Sequence, residues 1–207
     1  MALIGDLVGS RRAEERSALH SRLIAALDGV NAAVQAAVPL RITVGDEYQG
    51  VYGDLGAALR ATLLLRLALL PEADARHGVG RGSIVVLAED PRVEDGPAWW
   101  AAREAIETVA TAEKRATLRG LRTAYVCAED AGGPDPSAVN AALVLRDQLL
   151  HAAGQESVSV LAGMLSGMSQ KEIAAGLGVT ASAVSQRVRR DGLGALLRAD
   201  ELLGELR

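Results

Sequence analysis

Apolar residues recur along this chain with two different spacings, and each spacing predicts a different kind of element. Short consecutive or alternating apolar runs are typical of strands, whereas leucines and valines at steps of three and four are typical of helices. The pattern first predicts a strand over 2–5, a helix over 13–38 that Pro39 ends, a strand over 40–44 and a hairpin turn at Gly45-Asp46. It then predicts a helix that Asp54 caps and Pro71 ends, a glycine-interrupted strand over 76–87 and a loop over 89–96. A helix over 97–118 and a strand over 121–128 follow, and from 137 onward the pattern predicts helices only.

The first six predicted elements follow the order β-α-β-β-α-β, which is the split βαβ arrangement of ferredoxin-like and palm-type sheets. In that topology the first two strands are parallel and the third lies between them. The fold class that we predict is therefore α+β. A ferredoxin-like, palm-type sheet domain covers residues 1–130, a linker and connecting helix cover 131–154, and an all-α helix-turn-helix domain covers 155–207.

This topology brings two acidic stretches to one edge of the sheet. Asp6 follows the first strand, and Asp46 lies in the turn between the second and third strands. Mg²⁺ binds in proteins through one or two carboxylates together with water and substrate phosphates. We therefore predict that Asp6 and Asp46 hold a magnesium ion. Each motif alone also fits a structural role, since aspartate is common in hairpin turns and before helices.

The residues after Asp6 suit the phosphates of a nucleotide. They lead into a helix, whose first N–H groups and dipole favour anions, and Arg12 adds positive charge. The nucleotide-binding residues that we predict are Leu7, Val8, Gly9, Ser10, Arg11 and Glu47.

Composition and charge narrow the class of protein. Hydrophobic residues make up 49% of the 207 residues and aromatic residues only 2%, so the core is expected to be aliphatic. The net charge of −4 excludes a general polyanion binder but leaves room for a local basic patch. The single cysteine, Cys127, allows no intramolecular disulfide, and the longest aliphatic stretch contains Arg66. We expect a cytoplasmic protein with no membrane span.

Residues 169–190 read SQKEIAAGLGVTASAVSQRVRR, which predicts a helix-turn-helix. Ser169 and Glu172 have the spacing of a capping box, and Gly178 suits the tight turn. The first helix is expected to bury Ile173, Ala174 and Leu177, and the second to anchor through Val179, Val184 and Val188. The predicted DNA-binding residues are Ser169, Gln170, Thr180, Ser182, Ser185, Gln186, Arg187, Arg189 and Arg190.

These side chains hydrogen-bond to base edges or phosphates in helix-turn-helix proteins. Residues 155–198 carry five basic residues against three acidic ones, which supports this interpretation. A helical bundle that uses the same turn for packing or protein contacts is the alternative. One such unit rarely gives a tight specific site, so we expect a homodimer.

The stretches GDLVGSR and GDEYQG are similar to those of the SatD family of bacterial proteins, and the likeness runs along most of the chain. The N-terminal part also resembles class III nucleotidyl cyclases, whose two metal aspartates match Asp6 in DLVG and Asp46 in the Gly-Asp hairpin. The same hairpin resembles that of GGDEF domains, with one of the two glycines present. The C-terminal part resembles the winged or sigma-like helix-turn-helix of bacterial regulators.

The cyclase resemblance extends to HGVGRGSIVV and GPAWWAAREA, and there the chain also departs from the pattern. Arg103 stands at the place of the arginine that stabilises the transition state. Trp99 stands where cyclases have an asparagine, and Ile42 where they often have a base-reading lysine. The resemblance therefore implies metal and triphosphate binding by a domain that is non-catalytic or degenerate. Of Trp99 and Trp100, one is expected to pack into the core, with base stacking or a dimer contact as alternatives.

We expect a transcriptional regulator that binds double-stranded DNA as a homodimer. Its cyclase-like domain binds a purine nucleoside triphosphate, such as ATP or GTP, with Mg²⁺ and acts as a sensor. One alternative is an active metal-dependent cyclase with a DNA-targeting tail, in which Arg103 is catalytic. The other is a DNA-binding protein whose N-terminal domain only dimerises.

Overall fold

The computed structural model describes residues 1–10 and 16–207. In those residues the chain forms a five-stranded sheet, a two-stranded sheet and eight α-helices. The elements run in chain order as β1 (Ala2–Leu7), α1 (Arg16–Ala33), β2 (Val38–Val44), β3 (Glu47–Val51), α2 (Leu55–Leu69), β4 (Ala75–Arg81), β5 (Val85–Glu89), β6 (Arg92–Asp95), α3 (Pro97–Ala112), a 3₁₀ turn (Ala116–Leu118), β7 (Thr123–Cys127), α4 (Pro136–Ala152), α5 (Gln155–Leu165), α6 (Gln170–Leu177), α7 (Ala181–Arg190) and α8 (Leu193–Gly204).

The strand order of the main sheet confirms the predicted α+β class and the split βαβ arrangement. The order is β2-β3-β1-β4-β7. Strand β3 lies between β1 and β2 and runs antiparallel to both, so β1 and β2 are parallel to each other. Strand β4 lies antiparallel to β1 on its other side and pairs with β7 in parallel. The end of β1 and the β2–β3 turn therefore lie at one edge of the sheet.

One face of the sheet is covered by α3, and glycine makes this contact close. Ala2 and Ile4 of β1 form a small core with Trp99 and neighbouring residues of α3. A Cβ atom on Gly78 would lie 2.1 Å from the carbonyl oxygen of Ala102, and one on Gly80 would be equally close to α3. The glycines of β4 therefore let the helix backbone lie directly on the strand.

The other face carries α1, α2 and α4, and α2 is buried on nearly all sides. Leu55, Leu59 and Leu65 of α2 belong to the main core under the sheet. Leu63 and Leu67 belong instead to a second core formed with helices α4 to α8. A helix that is apolar all round is one that lies between two layers. Helix α2 therefore joins the sheet domain to the C-terminal helices.

Helices α8 and α4 also make contacts that connect the sheet domain to the C-terminal helices. A Cβ atom on Gly56 in α2 would lie 2.4 Å from the Gly204 carbonyl oxygen, so α8 crosses α2 at a glycine contact. Within residues 131–154, α4 packs on β7, where Asn140 makes two hydrogen bonds to the Tyr125 backbone. The C-terminal helices are thus docked on the sheet domain.

The prediction that Pro39 ends the first helix was wrong. Helix α1 ends at Ala33, and Pro39 lies inside β2; residues 13–15 of the predicted helix are outside the described residues. Strand β2 is at the edge of the sheet, where the missing N–H of proline is tolerated. The Asn31 side chain exchanges two hydrogen bonds with the Leu40 backbone and so connects the end of the helix to the strand.

The region from 76 to 96 was also predicted incorrectly. The single strand over 76–87 is two strands, β4 and β5, and the loop over 89–96 contains a third, β6. Val85–Glu89 pairs with β6 around a turn at Asp90-Pro91, and this hairpin stands apart from the main sheet. A composition-based expectation of a loop failed because four residues, Arg92 to Asp95, suffice to pair with β5.

Two further boundaries differ from the sequence prediction. Strand β1 extends to Leu7, so Asp6 lies within the strand rather than after it. Helix α3 ends at Ala112, and the side chain of Glu113, the next residue, pairs with Arg76 and Arg122. In residues 1–10 and 16–207, no helix combines the length and the apolar character that a bilayer crossing requires.

Candidate functional site

The end of β1 and the β2–β3 turn are in direct contact, as the predicted topology requires. The backbone N–H of Leu7 donates a hydrogen bond of 3.2 Å to Asp46 Oδ2. Gly45 has a φ of +63° in this turn, a conformation that glycine adopts readily. Asp46 is thereby held against the strand that carries Asp6.

The Asp6 carboxylate is engaged by an arginine. Ala2 and Ile4 of β1 face α3, and the alternation of a strand puts Asp6 on that same face. Arg76 of β4 donates to both Asp6 oxygens at 2.8 Å and to Glu113 at 2.8 Å. The hydrogen bonds to Asp6 raise the pKa of Arg76, with a further contribution from Glu113.

Glu47 and Arg103 form a second pair on the α3 face. Arg103 Nη2 lies 2.8 Å from Glu47 Oε1, and both side chains are partly exposed. The hydrogen bond that Arg103 donates to Glu47 raises the pKa of Arg103. The guanidinium that the cyclase resemblance makes catalytic is therefore already bound to a carboxylate.

Asp46 lies on the opposite side of the sheet edge, in a cavity of about 280 Å³. The predicted residues Leu7 and Ser10 line this cavity with Asp46, and helix α1 adds Arg16 and His20. Gly9 has a φ of +74° in the connecting turn, and the Val8 N–H donates to the Asp74 carbonyl at 2.9 Å. Arg11, also predicted to bind nucleotide, lies outside the described residues.

The two carboxylates of the predicted magnesium site point to different sides of the sheet edge. Both Asp6 oxygens hold the Arg76 guanidinium, while Asp46 faces the α1 side with Leu7. Among the described residues there is no group of three or more His, Cys, Asp or Glu side chains that would hold a metal ion. The arrangement therefore does not fit a resident metal, because a positive charge already occupies one of the two carboxylates.

The C-terminal helices form the predicted helix-turn-helix geometry. Helices α6 and α7 are joined by residues 178–180, and Gly178 adopts the left-handed conformation that ends α6. Ser169 and Glu172 form the complete capping box, and the Thr180 side chain caps α7. Ile173, Ala174 and Val184 are buried as predicted. Leu177 and Val179 are 38% and 37% exposed, so the prediction that they lie in the inner face was wrong.

The polar face of this unit contains most of the predicted DNA-binding residues. Ser185 and Arg187 are half-buried, and Arg187 is paired with Glu156. Arg190 pairs with Asp191 next to it. The exposed members of the set are Ser169, Gln170, Thr180, Ser182, Gln186, Arg189 and Arg190.

Comparison with known families assigns the chain as a whole. A model of the SatD family matches residues 1–206, which covers both the sheet and the C-terminal helices. The chain belongs to the SatD family. No curated protein and no solved structure matches it.

This SatD-family protein also contains a buried ionic network that the sequence reasoning missed. Arg66 is 0% exposed and binds Asp74 through two nitrogens and Asp147 through the third. Burial opposes ionisation of Asp74, but the Arg66 guanidinium outweighs it and lowers the pKa of that carboxyl. Arg122 donates to Asp74 at 2.9 Å and also pairs with Glu113. The signal in the sequence was a charged residue, Arg66, between the leucines of an aliphatic helix.

The network continues from the sheet edge into α4. It begins at Asp6 and Arg76, passes through Glu113, Arg122, Asp74 and Arg66, and ends at Asp147 in α4. Asp147 Oδ2 also accepts from the Arg122 and Thr123 backbone N–H groups, at 2.8 and 2.7 Å. Fully satisfied buried groups of this kind rigidify a structure. A continuous series of ion pairs thus joins the predicted carboxylate site of this SatD-family protein to the helix before the helix-turn-helix.

His77 is a further buried polar residue and lies in β4 of the main sheet. Its Nε2 lies 2.7 Å from the Tyr48 hydroxyl, and both side chains are 0% exposed. Burial lowers the pKa of His77 to about 3, with Arg66 and Arg146 acting in the same direction. His77 is therefore neutral near neutral pH.

Proposed function

We propose that this SatD-family protein binds double-stranded DNA through α6 and α7, and that its N-terminal domain binds a purine nucleotide that modulates this activity. The observation that carries the proposal is α7 itself. It is a short, well-capped helix whose exposed face combines hydroxyl, amide and guanidinium groups, at Ser182, Gln186 and Arg189. These are the groups that bind base edges and phosphates in a major groove.

The geometry of the turn supports insertion of α7. In helix-turn-helix proteins the second helix enters the major groove and its N-terminal residues contact bases, while other residues hold the backbone. Thr180 and Ser182 are at the N-terminal end of α7, and Arg189 and Arg190 are in its last turn. We therefore assign base contacts to Ser182 and Gln186, and phosphate contacts to Arg189 and Arg190.

The charges of the helix-turn-helix, formed by α6 and α7, support a dimer. Arg187 and Arg190 each already pair with a carboxylate, which reduces the positive charge available for phosphates. Affinity in protein–DNA complexes depends strongly on the number of phosphates neutralised. We propose that two protomers bind two half-sites about 34 Å apart, as dimeric helix-turn-helix proteins do.

The cavity beside Asp46 supports nucleotide binding at the α1 side of the sheet edge. Arg16 and His20 line it together with the Ser10 hydroxyl, so cationic and hydrogen-bonding groups face the same space. Its volume of about 280 Å³ is close to the lower end of the range for ligand pockets, about 300 Å³. Mg²⁺ is part of this proposal only as an ion that accompanies the phosphates of the nucleotide.

A physical route from the nucleotide to the DNA-binding helices runs through α2 and α4. Helix α2 contributes to both hydrophobic cores, and Arg60 on it pairs with Asp200 of α8. The same Arg60 donates to the Leu165 carbonyl at the end of α5, at 3.1 Å. A shift of α2 therefore moves the C-terminal helices. We also infer a cytoplasmic location, in keeping with DNA as the partner.

One observation favours the second candidate function, a DNA-binding protein whose N-terminal domain only dimerises. The Arg76–Asp6 pair is complete without any ligand, as expected of a structural ion pair. Titration calorimetry with ATP and with GTP, each with and without Mg²⁺, separates the two. Saturable binding that Asp46→Asn weakens supports the nucleotide-sensor function. If neither nucleotide binds, the result supports an N-terminal domain that only dimerises.

DNA binding is tested with the same full-length chain. Fluorescence anisotropy on duplex DNA compares Gln186→Ala with Arg198→Ala. Arg198 is 62% exposed on α8 and pairs with Glu201, away from the recognition face. Loss of binding in the first variant and not in the second supports the assignment, and equal binding in both overturns it.

A further inference from the structure

A second cavity lies on the α3 face of the sheet, between the β5–β6 hairpin and the start of α3. It has a volume of about 480 Å³ and is distinct from the one beside Asp46. The residues that line it include Glu94 of β6 and both tryptophans, Trp99 and Trp100. Pockets of this size hold small organic ligands in other proteins.

Two buried polar atoms of the lining residues have no hydrogen-bond partner within residues 1–10 and 16–207. They are Glu94 Oε2 and Trp99 Nε1. The Glu94 side chain is 2% exposed, and its other oxygen, Oε1, accepts from Arg92 at 2.9–3.0 Å. Trp99 is 8% exposed. Buried polar groups are nearly always paired, so two unpaired atoms in residues lining one cavity indicate a missing partner.

The two atoms define complementary requirements. A carboxylate oxygen accepts hydrogen bonds, so the partner of Glu94 Oε2 is a donor. An indole N–H only donates, so the partner of Trp99 Nε1 is an acceptor. The ligand that both atoms require therefore carries a hydrogen-bond donor and an acceptor.

The negative charge of the cavity favours a ligand whose hydrogen-bond donor is a cation. Among the described lining residues, the carboxylates of Glu94, Glu104 and Glu107 outnumber the guanidinium of Arg103, which is itself paired with Glu47. An anionic phosphate is disfavoured there and a cation is favoured. Trp100 is 62% exposed at the same place, with its indole N–H held by Asp95 at 2.8 Å. An exposed indole ring attracts cations through its face.

We infer that this cavity binds a small organic cation, a guanidinium or amidinium compound that carries a hydrogen-bond acceptor. The cation donates to Glu94 Oε2, the acceptor receives the Trp99 N–H, and Trp100 covers the ligand from the open side. Nucleotide phosphates do not enter this site, so it is independent of the nucleotide and DNA proposals above.

The chain offers a direct optical test, because its two tryptophans both line this cavity. The probes are argininamide, which has a guanidinium and one carbonyl acceptor, and benzamidine, which has an amidinium and no carbonyl. Titration of the full-length chain with either cation is expected to give a saturable change in tryptophan fluorescence that weakens with added salt. If neither cation produces such a change, the inference is overturned.

Calorimetry on single-residue variants then shows which residues of the cavity bind the cation. Glu94→Gln is expected to weaken argininamide at least about tenfold, the effect of losing a charge-assisted hydrogen bond. The matched control is Glu89→Gln, since Glu89 pairs with the same Arg92 but is 78% exposed and outside the cavity. Equal affinity in the two variants contradicts the assignment of Glu94.

A second variant keeps the test valid if Glu94→Gln fails to fold. Trp99→Phe retains a ring and removes the N–H, so it is expected to weaken argininamide several-fold and to leave benzamidine unchanged. Equal losses for both probes would show that Trp99 acts only through packing and would overturn its assignment as a donor. ATP at the same concentrations is expected to show no binding that Glu94→Gln alters.

Discussion

Arg76 holds both carboxylate oxygens of Asp6 through two hydrogen bonds of 2.8 Å, at the sheet edge where the sequence predicts a metal ion. The guanidinium supplies the positive charge that a metal would otherwise supply. Bidentate pairs of this kind between arginine and a carboxylate are particularly strong. Any divalent ion that binds at Asp6 must therefore compete with a side chain of the same protein.

This competition predicts a gain of metal binding on mutation. Arg76→Gln removes the positive charge and frees both Asp6 oxygens, so Mg²⁺ and Mn²⁺ are expected to bind at least about tenfold more tightly than in the native chain. Titration calorimetry in the absence of nucleotide measures the change. Arg92→Gln is the control, because Arg92 also pairs with carboxylates but lies on the β5–β6 hairpin. Equal metal affinity in Arg76→Gln and the native chain would contradict the account.

The buried network makes Asp147 a strong determinant of stability. Asp147 is 0% exposed and pairs with Arg66, which is equally buried. Asp147→Asn leaves a buried guanidinium without part of its counter-charge, so the free energy of unfolding is expected to fall by about 3–5 kcal/mol. Urea denaturation measures this change in the free energy of unfolding. Glu201→Gln, at an exposed pair on α8, is expected to change stability by less than about 0.5 kcal/mol. Similar losses in the two variants would argue against the network.

His77 predicts a specific dependence of stability on pH. Its pKa is lowered to about 3 in the folded chain, whereas an unfolded histidine titrates near its ordinary value of 6.5. Below pH 6.5 the unfolded state therefore binds a proton that the folded state does not, and stability falls as pH decreases towards 3. The slope from this residue approaches about 1.4 kcal/mol per pH unit.

The contribution is isolated by comparing variants between pH 7 and pH 4, roughly the window in which an unfolded histidine charges while the buried one stays neutral. His77→Gln keeps a polar partner for Tyr48 and is expected to show a shallower loss of stability in acid than the native chain. His151→Gln, at an exposed position of α4, is expected to behave as the native chain does. Identical acid slopes for all three proteins would show that His77 does not titrate as described.

The contact between α2 and α8 predicts a contrast between two glycines. A Cβ atom on Gly56 would lie 2.4 Å from the Gly204 carbonyl oxygen, whereas one on Gly29 in α1 would meet nothing within 4 Å. Gly56→Ala is expected to destabilise the protein by about 1–3 kcal/mol through overpacking. Gly29→Ala is expected to stabilise it by about 0.5–1 kcal/mol, because alanine favours the helix. Thermal unfolding compares them, and two variants of the same sign would contradict the docking of α8.

Much of the fold was predictable because local patterns and topology agree in this chain. The helical spacing of Leu23, Leu27 and Val30 reports the face that α1 buries, and Gly45-Asp46 marks the hairpin turn. The order of elements then leads to the sheet topology and to the contact between Leu7 and Asp46. The capping box at Ser169 was equally visible, because its two residues are three positions apart and interact only with each other.

The rest depended on long-range pairing that local patterns do not contain. Arg76 is, in the sequence, only the first polar residue of a glycine-interrupted strand, and the antiparallel register of β1 and β4 sets it opposite Asp6. The same holds for Arg66, which reads as an interruption of an apolar helix until Asp74 and Asp147 are brought to it. Leu177 and Val179 follow the apolar pattern but remain partly exposed, since α6 and α7 bury only one narrow stripe.

The central proposal is that α7 reads DNA, and selection from a random duplex library with the full-length chain tests it most directly. An enriched sequence with two related half-sites is expected, and that enrichment should be lost in Gln186→Ala and Arg189→Ala but not in Arg198→Ala. No enriched sequence from the native chain, or the same enrichment in all three variants, would contradict it.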